Sequence, residues 1–476
     1  MMERLEARER FALGQQRRKQ MRRLEHRRWN ASARRENPLT LLEASTRGRV
    51  PALVGLKRKM MAASPFGYFR GAVPVMAYDL SLNGNTGICN QLCGDAHVRN
   101  LGAFAGPDGR IEFDLNDFDE TIVAPFEWDV KRMATSLILA GRSGGTKDAP
   151  CREVVSVFLS RYRTIMAKLA RMPVLDVARY KVHRLGTVSP VAGILRMAER
   201  ATPMHTLESL TQVKKQGAGK RGKGGEGVRT SAQQATSKGN SKSGKGKTAT
   251  AAEGARHVFR QQPPMLTRVT GPMADRVVNS LAVYAETLQP ERQHLLAQYR
   301  PVDVAFKVVG TGSVGLRDYV VYLEGNGPRD PLFLQIKEET ASAYAPYRAS
   351  FGGEMRRGAS RHNGRRVVDG ERAMQLQSDP FLGWTTLEGR DYLVRQLNDH
   401  KASVRLADLK AAELMEYAAV CGELLARGHA RAGDPVMVAG YLGTSARFDD
   451  AIGGFAEAYA DQTEKDWKQL VRSLKK

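Results

Sequence analysis

Apolar and polar positions repeat with two different periods along the chain, and the changes of period divide it into elements. Stretches such as VVSVFLSRYRTIMAKLARM within residues 150–210 carry apolar side chains at every third and fourth position, which predicts an α-rich region. Residues 274–299 also predict helix. The C-terminal part predicts two more, one with Leu414, Tyr417, Cys421 and Leu424 on a single stripe and one with Ile452, Phe455, Tyr459, Trp467 and Leu470. These stripes read as core. Ser64-Pro65 marks a helix start, the segment PFEWDVKRMATSLILAGRSGG predicts a helix opening at Pro125 and stopped by Gly144-Gly145, and RRVVDGERAMQLQSD predicts another from 366. Short runs of β-branched and aromatic residues predict strands at Ile111-Glu112-Phe113, at 317–323, at FLQIKEE, and as a pair in FLGWTTLEGRDYLVRQLND with a turn around Glu388-Gly389.

Two stretches have neither period. Residues 1–36 are dense in Arg, Glu and Gln and predict at best a solvated helix; residues 212–256 are rich in Gly, Ser and Lys and predict a disordered linker. They change how the charge is read. The chain of 476 residues has 74 Lys and Arg against 50 Asp and Glu, a net charge of +24. Much of that excess lies in these two stretches, so it describes tails more than a binding face, and weak non-specific nucleic-acid contact through tail and linker is the most it implies. Hydrophobic content of 42% supports a buried core, while no apolar run approaches the roughly 20 residues of a membrane span. Four irregularly spaced cysteines fit a reducing cytoplasm and neither a disulfide framework nor a structural zinc site. No secretory signal or transit peptide is indicated at the N-terminus. Oligomeric state is not legible.

Candidate chemistry concentrates in residues 94–120, GDAHVRNLGAFAGPDGRIEFDLNDFDE. Asp95, His97 and Asn100 stand in a loop before the predicted strand, and Asp117 and Asp119 in the loop beyond it. Carboxylate and amide oxygens are the hard ligands Mg²⁺ prefers, and a lone Asp can receive a hydroxyl proton during phosphoryl transfer. Asp95 and His97 are therefore the candidate catalytic residues, and Asn100, Asp117 and Asp119 the candidate metal ligands. Arg70, among Phe66, Tyr68 and Phe69, reads either as a packed or salt-bridged residue or as an anion contact near the site. Asp129 reads as a first-turn carboxylate favoured by the helix dipole, or as a functional group.

A second constellation lies about two hundred residues on. Gly310, Gly312 and Gly315 form GxGxxG around Ser313, but a strand pattern follows where a dinucleotide fingerprint would open a helix. A glycine-rich turn between two antiparallel strands, with a lysine on the next strand, is instead a phosphate-covering arrangement, and Lys337 occupies that place. A plain glycine hairpin with a surface lysine is the alternative.

The motifs SPFGYFRGA, QLCGDAHVRNLGAF, FDLNDFDET, PFEWDVKRMATSL, GTGSVGLR, PLFLQIKEE, SDPFLGW, YLVRQLND and AYADQTEKDW, in that order, resemble the bacterial family called domain of unknown function 2252. More distantly, GDAHVRN, LNDFDE and PFEWDV are similar to the pattern of aminoglycoside and choline phosphotransferases. That resemblance implies a catalytic base at Asp95, Mg²⁺ ligands at Asn100 and Asp117, a loop scaffold at Asp129, and a glycine loop with its lysine at Gly310, Gly312, Gly315 and Lys337. In those enzymes the glycine loop precedes the catalytic loop, whereas here it follows. The expected fold is thus α+β, a bilobal protein-kinase-like fold in circularly permuted order. Its expected parts are a basic extension (1–36), a catalytic-loop and helical lobe (37–211), the linker (212–256), a β-rich nucleotide-binding lobe (257–400) and C-terminal helices packing on the helical lobe (401–476). Glu354 and Glu371 are both candidates for the acidic partner of Lys337.

The expected activity is ATP- and Mg²⁺-dependent phosphoryl transfer to a small-molecule hydroxyl. Nucleotidyl transfer from the same site, a non-catalytic nucleic-acid-binding or scaffold role for the basic tail and linker, and a metal-dependent hydrolase built on His97 are the competing readings.

Overall fold

The computed structural model describes residues 5–182, 185–215, 255–351, 361–397, 401–404 and 409–475. It is an α+β architecture, 54% helix and 17% strand among the described residues, with several small antiparallel sheets. The largest sheet has six strands in the order Gly383–Leu387, Arg390–Gln396, Pro331–Glu338, Asp318–Glu324, Arg300–Lys307, Leu266–Val269. Every neighbouring pair in it is antiparallel. The two strands expected around Glu388-Gly389 meet in a turn where both residues have positive φ, 51° and 69°, with Leu387 opposite Arg390. One face of this sheet is covered by helix Pro272–Ala285, whose Val277, Leu281 and Tyr284 pack against Val304, Val321, Leu334, Ile336 and Val394.

A second and larger core is helical. Helix Glu127–Ser143 runs through its centre, and 15 of its 17 residues are buried. Around it pack Asp148–Leu169, Ala411–Ala432 and Arg447–Ser473; the first expected C-terminal stripe and Ile452, Phe455 and Tyr459 of the second lie in this core, whereas Leu470, with Trp467 against it, joins a smaller cluster with Leu42, Met61 and Tyr68. Helix Pro65–Gly71 starts as its sequence implies, with the Ser64 hydroxyl accepting from Gly67 N at 2.9 Å and Pro65 at the first position.

The N-terminal stretch departs from expectation. It is not a solvated extension: helix Ala7–Gln20 lies against helix Pro435–Leu442, so closely that a Cβ on Gly14 would meet Met437 O at 2.1 Å and one on Gly440 would meet Phe11 O at 2.3 Å. Four of its arginines bond within the molecule. Arg10 pairs with Asp434 at 2.7 Å, Arg18 and Arg23 donate to the carbonyls of Tyr441 and Leu442, and Arg34 bridges the buried Asp79 and Asp466. His26 is wholly buried, 2.8 Å from the Tyr441 hydroxyl. The charged run therefore reads as solvated only while its partners, some four hundred residues away, are out of view.

Most of the expected linker lies outside the described residues. Its edges do not: Thr211–Lys215 and Ala255–Phe259 pair as an antiparallel ladder, so regular structure extends into both of its ends. Among the described residues no helix is long and apolar enough to cross a membrane.

Candidate active site

Strands Cys89–Leu92 and Ile122–Pro125 pair antiparallel, and the chain between them leaves as one loop, returns through the hairpin Leu101–Ala105/Ile111–Leu115, and closes as a second loop. The two loops meet. Gly94 has φ +81°, and a Cβ there would lie 2.1 Å from Glu120 O, so glycine is required at this crossing. Asn100, buried, donates through Nδ2 to Asp95 O and to Asp117 O, both at 2.9 Å, tying the loops together. From the first turn of the central helix, Asp129 accepts from Cys93 N at 2.9 Å and Gly94 N at 3.0 Å. Behind it stands His429, 3.3 Å from the carboxylate and 2.9 Å from the Tyr162 hydroxyl.

Asp95 is held by Arg132, whose Nε and Nη2 reach Oδ1 at 2.6 and 2.5 Å. Burial alone would push this carboxyl up, but Arg132, His97 and Arg70 outweigh it and hold it below its ordinary range. It is therefore charged at neutral pH. His97 lies 3.6 Å from Asp95, and its Nδ1 accepts from Arg99 N at 3.2 Å. Burial, with Arg70, Arg132 and Arg99 nearby, pushes the imidazole down to about 3, against the pull of Asp95. The ring is thus neutral at pH 7, with one nitrogen engaged by the backbone.

Lys337 comes from the opposite side, on the sheet strand where it pairs with Asp318 and Leu393. Its ammonium is bonded to both oxygens of Asp119 and lies 3.8 Å from Asp117 and from Glu339. Burial disfavours that charge, yet the surrounding carboxylates raise the lysine above its ordinary value. The same contact carries Asp119 below its ordinary value despite burial. Loss of hydration within the cleft, then the neighbouring Asp119, push Asp117 up to about 6, although its side chain keeps 45% of its exposure. Of the two candidates for the acidic partner of Lys337, Glu371 faces Arg395 and Lys401 instead, and Glu354 lies outside the described residues. The acidic neighbours that the structure supplies are Asp119, Asp117 and Glu339.

The glycine loop joins strands Arg300–Lys307 and Asp318–Glu324 and folds down over this cluster, with the Ser313 hydroxyl donating to Asp119 Oδ2 at 2.9 Å. Positive φ at Gly310 (+25°) and Gly315 (+91°) lets it turn back sharply. It is also gripped from outside by the segment leading into helix Pro51–Ala62. Arg49 donates to Val314 O at 2.7 Å, Val50 N to Gly315 O at 2.7 Å, and Lys57 to Gly312 O at 2.7 Å. Burial, with Arg49 adding to it, brings Lys57 down to about 7.

Asp95, His97, Asn100, Asp117, Asp119, Ser313 and Lys337 thus occupy one site. Residues not singled out in the sequence build its frame: Arg132, Lys57, Glu339, and Arg366, which donates to the carbonyls of Thr121 (2.6 Å) and Asp119 (2.8 Å). Among the described residues no three His, Cys, Asp or Glu side chains form a group able to hold a metal by themselves. The ligand-rich centre a His97-based hydrolase would need is thus not assembled there. Mg²⁺ keeps several waters and takes phosphate oxygens, so one or two carboxylates suffice, and Asn100, Asp117 and Asp119 fit that requirement.

The family model for uncharacterized proteins conserved in bacteria, DUF2252, matches residues 49–238 and 196–473, and the chain belongs to that family. No curated protein and no solved structure matches it.

Proposed function

We propose that the chain is a Mg²⁺- and ATP-dependent phosphotransferase acting on a small-molecule hydroxyl, built on a kinase-like fold in permuted order. One observation carries this reading: Lys337 and Ser313, from the glycine-loop side, contact the Asp119 carboxylate of a loop that is tied through Asn100 to Asp95. The permuted order is supported by the sheet, in which a glycine hairpin is followed by the lysine strand, a helix (Asn363–Met374) and two further strands.

In this reading the nucleotide phosphates lie under the glycine loop, and Lys337 turns from Asp119 to their oxygens. Asn100, Asp117 and Asp119 would hold Mg²⁺, which when bound would neutralise charge on the phosphates. Asp95, kept ionised by Arg132, receives the acceptor's hydroxyl proton. The acceptor oxygen bonds to the γ-phosphorus as the bond from that phosphorus to the bridging oxygen breaks, and ADP departs with the electron pair. Nucleotidyl transfer would instead release pyrophosphate. The test is thermal unfolding with millimolar Mg·ATP: a rise in Tm that is lost in Lys337→Met supports the reading, and no rise at all would sink it.

A further inference from the structure

Beside the proposed base lie two guanidinium groups, Arg70 and Arg99, that make no ion pair with a carboxylate among the described residues. Arg132 is fully engaged, with Asp95 on one edge, Phe69 O at 3.2 Å on another and the Phe69 ring 4.3 Å away. The next residue, Arg70, makes no side-chain ion pair or hydrogen bond among the described residues, and its Nε is buried without a partner. Its backbone carbonyl sits below the glycine loop, 3.6 Å from where a Cβ on Gly312 would stand. Arg99 belongs to the aspartate loop itself, where its N–H fixes the His97 ring while its exposed side chain is likewise unpaired. Both charges act on His97, Arg99 disfavours the charge of Arg70, and Arg70 interacts with Asp95 and Asp117.

Two like charges that both act on His97, one with a buried donor unsatisfied, cost free energy in the free protein that an anion would recover. The guanidinium fork suits the planar or tetrahedral oxygens of a carboxylate or phosphate. We propose that Arg70 and Arg99 form an anion subsite for the acceptor, whose hydroxyl is presented to Asp95 while a phosphate or carboxylate on the same molecule is held by the two arginines. The placing of the acceptor rests on the phosphotransferase reading; the anion site does not. Choline and aminoglycosides are cations, so the substrate class differs from that of the enzymes the motifs resemble.

Isothermal titration of the full chain with inorganic phosphate, glycerol 3-phosphate and malate, each with and without saturating Mg·ADP, tests it. The expected result is binding of the phosphate or the carboxylate probes, the tighter set naming the source of the anion. Binding should weaken about tenfold or more in Arg99→Met and in Arg70→Met, and stay unchanged in the exposed control Arg110→Met. Because Arg99 is exposed, its variant keeps the test valid should Arg70→Met fold poorly. Anion binding that persists beside Mg·ADP supports an acceptor subsite. Displacement of every probe by Mg·ADP would overturn it, as would equal binding by wild type and both variants or no binding at millimolar probe. Anion binding without any response to Mg·ATP would support the anion subsite and sink the phosphotransferase reading alone.

Discussion

The site contains two cation–carboxylate contacts of opposite character. Arg132 has no solvent exposure and grips an aspartate that is 15% exposed, from the middle of a helix buried on nearly every side. Lys337 is also buried, but Asp119 and Asp117 keep 20% and 45% exposure and face the cleft. Solvent reaches those aspartates, whereas Arg132 is enclosed by protein. The first contact is therefore part of the frame and the second opens on the cleft, a distinction that charge pairing alone would not reveal.

Breaking the frame should give the largest effect. Arg132→Met leaves the Asp95 carboxylate largely buried without its partner and should cost about 3–5 kcal/mol, read as a lower urea midpoint. Asp129→Asn, which removes charge from a group accepting two backbone N–H bonds, should cost about 1–3 kcal/mol by the same measurement. It should also lower activity by displacing Asp95. Lys337→Met should cost only about 1–2 kcal/mol, since its aspartate partners are partly hydrated. It should nevertheless abolish the Mg·ATP-dependent rise in Tm. A stability loss equal to that of Arg132→Met would erase the distinction between the two contacts.

The smallest effect concerns the grip on the glycine loop. Lys57 is brought down to about 7 in the folded protein, so between about pH 7 and its unfolded value the unfolded chain binds more protons. Stability from this group should therefore rise as pH increases across that window. Lys57→Met should flatten the rise in urea midpoint between pH 7 and about pH 10. A slope identical to wild type would show that Lys57 does not carry it.

The loops of the site were legible because chemistry and turn formation use the same few residues. Gly310 and Gly315 adopt positive φ where the glycine-rich turn is expected, and strands Arg300–Lys307 and Asp318–Glu324 flank them. The frame was not legible. In the central helix the polar positions Asp129, Arg132 and Ser136 lie three and four apart on one face, opposite Ala134 and Ile138, a pattern that ordinarily means a wet face. Here that face meets the aspartate loop: Ser136 Oγ accepts from Val98 N at 3.1 Å, as Asp129 and Arg132 serve Gly94 and Asp95. The grip of Arg49 and Lys57 on the glycine loop spans more than two hundred residues, and no local period encodes such a contact. The N-terminal arginines misled for the same reason.

Their docking bears on the order in which the molecule can be assembled during synthesis. Trp29 stacks edge-on against Tyr459 at 4.9 Å, His26 against Phe448 at 5.2 Å, and Arg34 reaches Asp466, all on helix Arg447–Ser473. A segment made early is thus completed by one made more than four hundred residues later. Until then Asp79 and Arg34 have each other but not the helix that covers them, and the Arg-rich strand of chain must wait, charged and exposed, while every intervening element folds.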